Sequence, residues 1–588
     1  MDSKHVTEST SGQEDIQKTW WKEAIIYQIY PRSFQDSDDD GIGDLNGITS
    51  RLDYIQSLGV DIIWLNPIFL SPNDDNGYDI SDYREIMREF GTMEDFDRLL
   101  KEIHKREMRL VLDLVVNHTS DEHPWFEEAR KSRHNPYYNY YHWWPAEKGE
   151  PPLRLSYFDE EGNAWTYNKP TDSYYLHYFS RKQPDLNWEN PEVRQEIFDM
   201  MRFWFDKGID GFRMDSISLI AKDPSFPLID SKKYPDIFSF YAKEPRLHLY
   251  LHEMNRQVLS KYDCMSVGEG SAVMVDDVAK FVDPAREELN MLYHFDAARI
   301  RNTTLPDNPE SGIDYSLIAL KKMFTEWDKA VDKGWPSIYL GNHDQPRMVS
   351  RFGSDKDEFR ALSAKMLITF LLTMRGTPYW FAGDEIGMRN IRFDRIEDYN
   401  DIDTINRYKK AKAEGKDPQA VLDEQKETGR DNARTPFQWD RSPEAGFTAG
   451  TPWLKVNPDY TWINVADEEK APTSILNYFK KVVSFRKENP SLIYGSYHLL
   501  DAENPQSYTF LRKTGADTYL IMLNFSPKAA ISTPGIDMSN AHVLLDNYGD
   551  RSHMAPQKDI TLRPFEAIVF QLNHPVYESF IDSLDLLE

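Results

Sequence analysis

Seven short apolar runs, at 25–30, 62–66, 110–116, 209–214, 265–268, 337–340 and 377–381, give way in turn to polar or glycine residues. Amphipathic stretches fill most of the gaps between them. Near-continuous apolar runs belong to strands buried on both faces, and their alternation with helical stretches predicts a parallel sheet. This many β-then-α units favours a closed (β/α)8 TIM barrel of the α/β class over an open sheet. In a barrel of that kind the active residues sit just after the C-terminal ends of the strands.

Three stretches depart from the alternation. Between Asn117 and Asp185 the chain is rich in Trp, Tyr, Pro and His (YYNYYHWWPAEKGEPP, AWTYN, YYLHYF) and lacks helical periodicity, which predicts a small β subdomain inserted after the third strand and walling one side of the pocket. From about Leu500 onward, short alternating runs (SYTFLRK, TYLIMLNF, AHVLLDN, AIVFQLN) predict a C-terminal antiparallel β-sandwich. A charged helical insertion at 396–426 reads as a solvated face. The expected organisation is therefore a disordered polar start at 1–18, a barrel built from 19–117 and 186–499, the inserted subdomain at 118–185 and the C-terminal domain at 500–588.

Composition changes the picture only at its edges. At 588 residues, with 40% hydrophobic and 13% aromatic content, the chain can bury a large core in two or three domains. A formal net charge of -28 disfavours nucleic acid and anionic membrane as partners, because phosphates repel such a surface. The lone cysteine, Cys264, cannot form an internal disulfide and reads as a small buried hydrophobe in a reducing compartment. The first residues lack the apolar core of a secretory signal, and no run is long and uncharged enough to span a bilayer. A cytoplasmic enzyme, monomeric or weakly dimeric, is expected.

Chemistry enters through four segments in fixed order: DLVVNH at 113–118, GFRMDS at 211–216, SVGEG at 266–270 and GNHDQ at 341–345. Each brings a carboxylate, a histidine or an arginine to a strand end. Arg213 and Asp215, two apart on a strand, point the same way, and the cation keeps the acid ionised as a nucleophile requires. Glu269 follows an apolar run and a glycine, where desolvation would raise its pKa and suit a general acid. Asp344 stands beside His343, and Asp113 and His118 flank a strand end. Any one of these alone would be an ordinary structural feature.

Together, in this order, they resemble the signature regions of the α-amylase superfamily, the retaining barrels of glycoside hydrolase family 13. YQIYPRSFQDSDDDGIGDLNGI, NGYDISDY, GTMEDFDRLL, QPDLNWENPEVR, NHDQPR, GDEIGM and RDNARTPFQWD extend the resemblance to the subfamily of oligo-1,6-glucosidases, maltases and isomaltases, dextran glucosidases and sucrose isomerases, over roughly 20–572. The resemblance implies Asp215 as nucleophile, Glu269 as acid and then base, and Asp344 as the third carboxylate. It implies an α-anomeric product and a carboxyl pair about 5 to 5.5 Å apart. His118 and His343 would bond the sugar, Arg213 would hold the nucleophile and Tyr78 would lie beneath the ring. Phe179 would touch the same sugar, although read unaided it is a core residue. Glu385 would meet the leaving sugar.

A pocket for a terminal glucose needs a closed floor, which the subfamily makes from an aspartate in GYD and an arginine in RDNAR. Here these are Asp79 and either Arg430 or Arg434. Exo action on small oligosaccharides follows. The loop Asp36, Asp38, Asp40, Gly41, with Asp44 and the Ile42 carbonyl, has the spacing of an oxygen-ligand cation site, although Gly47 stands where an EF-hand has glutamate. The resemblance implies one structural Ca2+, or Mg2+, in this loop.

Linkage is read from single residues. Ser216, directly after the nucleophile, leans toward α-1,4 or mixed specificity, since the subfamily tends to carry Val there when it prefers α-1,6 links. Gly270 after the acid would enlarge the leaving-group side. Arg299 and Arg301 match only part of the arginine and aspartate-rich motif of sucrose isomerases, so hydrolysis with some transglucosylation is expected ahead of isomerisation. A sucrose isomerase would give isomaltulose or trehalulose from sucrose. A dead scaffold would have lost these carboxylates, and a calcium-binding interaction protein would leave them unexplained.

Overall fold

The computed structural model describes residues 18–158, 162–230, 232–234, 237–296, 316–515, 517–536, 538, 541–551 and 558–572. Residues 1–17, and the segment carrying Arg299 and Arg301, lie outside the described residues.

Eight parallel strands form the barrel: β1 (Ile26–Ile29), β2 (Ile62–Leu65), β3 (Arg109–Val115), β4 (Gly211–Asp215), β5 (Met265–Glu269), β6 (Met291–Tyr293), β7 (Ser337–Ile338) and β8 (Thr377–Phe381). Their ladder runs β6-β5-β4-β3-β2-β1-β8-β7. The seam between β6 and β7 is closed by Ser337 Oγ donating to the Leu292 carbonyl at 3.0 Å and Tyr339 OH to that of His294 at 2.5 Å. β6 is the strand the apolar pattern did not mark. Three residues are too few to register as a run beside longer neighbours.

The strand residues divide by parity. Ile26, Ile62, Trp64, Val111, Met265, Val267, Met291 and Tyr293 fill the barrel interior, while Tyr27, Ile63, Leu112 and Phe212 pack outward against the helices. Both sets are buried, which is why the runs are apolar throughout rather than alternating. The surrounding helices include α1 (Met93–Lys105), α2 (Pro191–Lys207), α3 (Arg246–Gln257), α4 (Leu317–Ala330) and α5 (Arg360–Thr373). α1 starts with a reciprocal capping box between Thr92 and Asp95. α5 (ALSAKMLITFLLT after Arg360) is buried on nearly every side, so its sequence carries no polar face.

After β3, an antiparallel sheet of Trp143–Pro145, Ser173–Leu176 and Trp165–Asn168, with Ser173–Leu176 central, forms the inserted subdomain. Bridges His118↔Asp185 and Tyr141↔Leu186 fasten its base. After β8 the charged insertion folds as a helical hairpin, α6 (Ile402–Ala413) and α7 (Pro418–Thr428). It is more than a solvated face, because Asp401, Thr404, Leu422 and Gln425 are buried.

Beyond α8 (Ile475–Glu488), a five-stranded antiparallel sheet contains β9 (Ser496–Leu500), β10 (Ser507–Thr514), β11 (Asp517–Asn524), β12 (His542–Asp546) and β13 (Ala567–Leu572), in the order β9-β10-β11-β13-β12. The pair Ala530–Ser532 and Ile560–Leu562 covers one face of it, and Ile560 and Leu562 join its core there. On the other face Tyr508 and Phe525 meet Phe370 of α5, and Phe510 packs beside Tyr508. The first strand starts at Ser496, ahead of the expected residue 500. Cys264 is half-buried, and burial pushes its thiol up to about 12. Among the described residues no helix is long and apolar enough to cross a membrane.

Candidate active site

Barrel parity delivers the chemistry. Continuing the inward-facing rows to the C-terminal strand ends places Gln28, Trp64, Asp113, Arg213, Asp215, Glu269 and Tyr293 around one axis: Gln28, Asp113 and Glu269 lie two residues after the interior Ile26, Val111 and Val267, Trp64 and Tyr293 are themselves interior, and Arg213 and Asp215 alternate with the outward-packed Phe212 and Met214. Register aligns them laterally: Asp113 pairs with Arg213, and Glu269 with Tyr293.

Arg213 is the hub. Its Nη1 donates to Asp113 Oδ1 and Asp215 Oδ1, both at 2.7 Å, its Nη2 to Glu269 Oε2 at 2.6 Å, and its Nε to the Tyr293 hydroxyl at 2.7 Å. One guanidinium cannot neutralise three carboxylates in a dry site, so protons must stay with the acids. Burial raises Glu269 to about 8, against the pull of Arg213 and with the push of the neighbouring Asp215 charge. Burial also raises Asp215, where Arg213 and a hydrogen bond from Glu269 act the other way. The pair therefore holds one proton, on Glu269.

The Ser216 amide also donates to Glu269 Oε2, at 2.9 Å, and Ser271 Oγ to Oε1 at 3.2 Å. To present that amide, Ser216 takes a left-handed conformation, with φ 43° and ψ 31°. Such backbone is strained for a residue with a side chain, and it ties the position after Asp215 to the acid. Gly270 does not enlarge the leaving-group side as expected. A Cβ there would stand 2.8 Å from Leu292 Cδ2 and 2.9 Å from the Tyr293 carbonyl oxygen, so the glycine serves the close approach of β5 and β6.

A second network runs from β1 to the Asp113 carboxylate. Gln28 Nε2 donates to His343 Nδ1 at 2.8 Å, which leaves the proton on Nε2, facing the Tyr78 hydroxyl at 2.7 Å and Asp344 Oδ2 at 3.2 Å. The Tyr78 hydroxyl in turn donates to Asp113 Oδ2 at 3.2 Å, and its ring stacks on His343 at 5.3 Å. Burial keeps His343 neutral, with a pKa of about 3. His118, lowered to about 4 by burial, accepts from Asn117 Nδ2 at Nδ1 and donates from Nε2 to the Tyr78 carbonyl at 3.0 Å. Phe179 is half-buried, 5.0 Å from the His118 ring and stacked on Tyr157.

The pocket-closing pair differs from the expected one. Asp79 turns back into its own loop, accepting from Ser71 Oγ at 3.0 Å and the amides of Asp74 and Asp75 at 2.8 and 3.0 Å, and touches neither arginine. Asp75, three residues before Tyr78, takes that place, with Oδ1 at 3.4 Å from Arg430 Nη2 and Oδ2 receiving Gln183 Nε2 at 3.2 Å. Arg430 reaches Asp75, whereas Arg434 donates to Asp344 Oδ1 at 2.9 Å and to the His343 carbonyl at 2.9 Å. Burial raises Asp344, but the Arg430, Arg434 and Arg213 guanidiniums outweigh it and hold the carboxyl well below its usual range.

Glu385 is also misplaced by the sequence. It is fully buried, with Tyr27 and Tyr54 hydroxyls at 2.7 and 2.8 Å and the Gly383 amide at 2.8 Å, all away from the Arg213 hub. Three other residues escaped notice: Asp401, Tyr293, and Lys222, whose ammonium bonds Asp185 at 2.9 Å and Asn117 at 2.6 Å beneath the inserted subdomain.

Far from the hub, carboxylate oxygens of Asp36, Asp38 and Asp40 lie within 4.8 Å of one another. Asp36 is held by the Asp38, Asp39 and Gly41 amides and by Thr448 Oγ1 at 2.5 Å. Gly41, at φ +90°, lets the Thr451 carbonyl come where a Cβ would stand 1.9 Å away. Burial and mutual repulsion raise Asp38 and Asp40, the condition a hard cation would relieve. Asp44 lies outside that cluster, its oxygens capping the helix Leu45–Ser50 through Gly47 N and accepting from Ser37, but its charge still acts on Asp38 and Asp40. Ile42 donates its amide to Asp40 Oδ1 at 2.8 Å.

Residues 28–495 match the family described as alpha amylase, catalytic domain. An oligo-1,6-glucosidase of Parageobacillus thermoglucosidasius is 51% identical over 571 residues, covering 95% of this chain and 100% of that protein. An oligo-1,6-glucosidase of Bacillus cereus is 49% identical over 567 residues, with 95% and 100% covered. Among solved structures, the isomaltulose synthase from Klebsiella sp. LX3 superposes with a TM-score of 0.90 at 42% identity, covering 95% of this chain and 100% of that one. A barrel whose strand ends converge on Arg213, matched over nearly its whole length to such proteins, belongs to the α-amylase family of glycoside hydrolases.

Proposed function

We propose that this chain is a retaining, exo-acting α-glucosidase that releases α-glucose from the non-reducing end of short α-glucosides, α-1,6-linked oligosaccharides first among them. The observation that carries this is the carboxyl pair Asp215 and Glu269 held on one guanidinium, at 2.7 and 2.6 Å. Asp215 attacks the anomeric carbon while Glu269 gives its proton to the departing glycosidic oxygen. Glu269, now ionised, takes a proton from water, whose oxygen displaces Asp215 from the sugar. Two inversions return the α-anomer. Asp344, kept ionised by Arg430 and Arg434, accepts hydrogen bonds from the ring hydroxyls.

Exo action is supported by the charged floor, where Arg430 lies between Asp75 and Asp344 at 3.4 and 3.3 Å. The preference for α-1,6 links rests on the two oligo-1,6-glucosidases and departs from the leaning drawn from Ser216, whose backbone amide is committed to Glu269. Asp36, Asp38 and Asp40 would hold a structural Ca2+ or Mg2+, which supplies charge compensation to the loop and takes no part in the reaction. A reducing, cytoplasmic setting and a monomer or weak dimer complete the proposal, in keeping with a single cysteine in 588 residues.

A chromatographic product profile on isomaltose, maltose, trehalose and sucrose tests it. Glucose from isomaltose as the fastest reaction is the expected result. The likeness to an isomaltulose synthase keeps a second outcome in view, isomaltulose or trehalulose as the main product from sucrose.

A further inference from the structure

The charged hairpin of α6 and α7 hides its most consequential residue at its first turn. Asp401 is completely buried, and its two oxygens do different work. Oδ2 caps α6 through the Thr404 amide at 3.1 Å and hydroxyl at 2.8 Å. Oδ1 takes Arg430 side-on, with Nε at 2.7 Å and Nη2 at 2.5 Å.

Those are the shortest contacts Arg430 makes with a carboxylate. Its distances to Asp344 and Asp75, 3.3 and 3.4 Å, are too long for well-formed charged hydrogen bonds. The guanidinium also lies 4.9 Å over the Phe158 ring of the inserted subdomain, and Asn406 of α6 donates to the Phe158 carbonyl at 2.6 Å. The hairpin thus grips the cation from behind and holds the subdomain beside it. Three carboxylates (Asp75, Asp344, Asp401) face two guanidiniums (Arg430, Arg434), so one acid is always incompletely paired.

We propose that Asp401 is the positioning residue of the glucose pocket: it holds the Arg430 guanidinium back from Asp75 and Asp344, leaving their oxygens to accept the sugar hydroxyls. Without that grip two cations meet two acids, Arg430 closes onto them, and a sugar must break an ion pair to bind. The inference rests on the glucosidase function proposed above.

Asp401→Asn tests it, because asparagine still caps a helix while the charge facing Arg430 is gone. The expected result is a KM for isomaltose and for p-nitrophenyl α-glucoside raised about tenfold, with kcat held within about twofold and glucose inhibition weakened in parallel. Leu422→Ala is the control. Leu422 packs with Phe393, Tyr399 and Leu454 inside the hairpin region, so this variant should lower thermal stability and leave KM as it was. If the unaltered protein releases no glucose from any α-glucoside, the function falls and the assignment with it. If it is active, an unchanged KM in Asp401→Asn, or an equal rise in Leu422→Ala, overturns the assignment of Asp401 alone.

Discussion

Arg213 donates to Asp215 at 2.7 Å through the same Nη1 that holds Asp113, so the carboxylate proposed as nucleophile is fixed by a buried cation. Asp215→Asn keeps the shape of that contact and removes the attacking charge. Turnover of isomaltose should fall by about four decades, roughly 5 kcal/mol of transition-state stabilisation. Fluorescence-detected sugar binding and the melting temperature should stay near those of the unaltered protein. Glucose release within about tenfold of normal would remove Asp215 from the mechanism.

Glu269 is raised to about 8 by burial, with Asp215 adding to the shift, and it must be protonated to act as acid. As pH rises through about 8 the proton is lost and kcat/KM should decline. On the acid side Asp215 must be ionised. Its own upward shift from burial places that limb above the range of an exposed aspartate. The two limbs belong to the pair as macroscopic values. Glu269→Gln should abolish the alkaline limb, and should slow isomaltose far more than p-nitrophenyl α-glucoside, whose leaving group needs no proton. Equal losses on both substrates would contradict the acid role.

Asp75 and Asp79 stand four residues apart, yet their environments predict opposite phenotypes. Asp75→Asn removes the anionic oxygens that face Arg430 and would accept sugar hydroxyls, and should raise KM by about 10 to 100-fold while the protein melts normally. Asp79→Ala orphans the amides of Asp74 and Asp75 and the Ser71 hydroxyl, at about 1–3 kcal/mol for each buried donor left unpaired. Denaturant melts should therefore fall for Asp79→Ala and hold for Asp75→Asn. The reverse pattern would restore Asp79 as the pocket residue.

The loop at Asp36, Asp38 and Asp40 should couple to stability and not to chemistry. Adding Ca2+ at about 100 times its Kd should stabilise the fold by about 2.7 kcal/mol, and a chelator should reverse this. Asp38→Asn should erase the calcium-dependent shift with KM unchanged. A calcium-dependent kcat would contradict a purely structural role.

What could be seen in the sequence, and what could not, follows from the physics of each residue. Asp215, Glu269 and Asp344 were legible because each ends or follows a strand whose apolar neighbours announce burial; strand parity aims Asp215 and Glu269 inward, and Arg434 and His343 hold Asp344 in the turn after its strand. β6 was not, since Met291–Tyr293 offers three residues and no period. Asp75 was hidden among Asp74, Asp75 and Asp79, which are equivalent until the loop between Phe69–Leu70 and Asp82–Ile86 folds and only one carboxylate faces Arg430. Glu385 misled because a strand-end acid need not face the axis, and here two tyrosine hydroxyls draw it outward. Asp401 lay in a stretch of mixed charge, where nothing local separates a buried acid from a solvated one.

Everything proposed for the pocket turns on a double displacement at a terminal glucose. Proton NMR during the first minutes of isomaltose hydrolysis, before mutarotation equilibrates the anomers, follows that stereochemistry as it happens. Newly released non-reducing-end glucose should appear as the α-anomer, with the β-anomer growing in later. The β-anomer appearing first would contradict the mechanism.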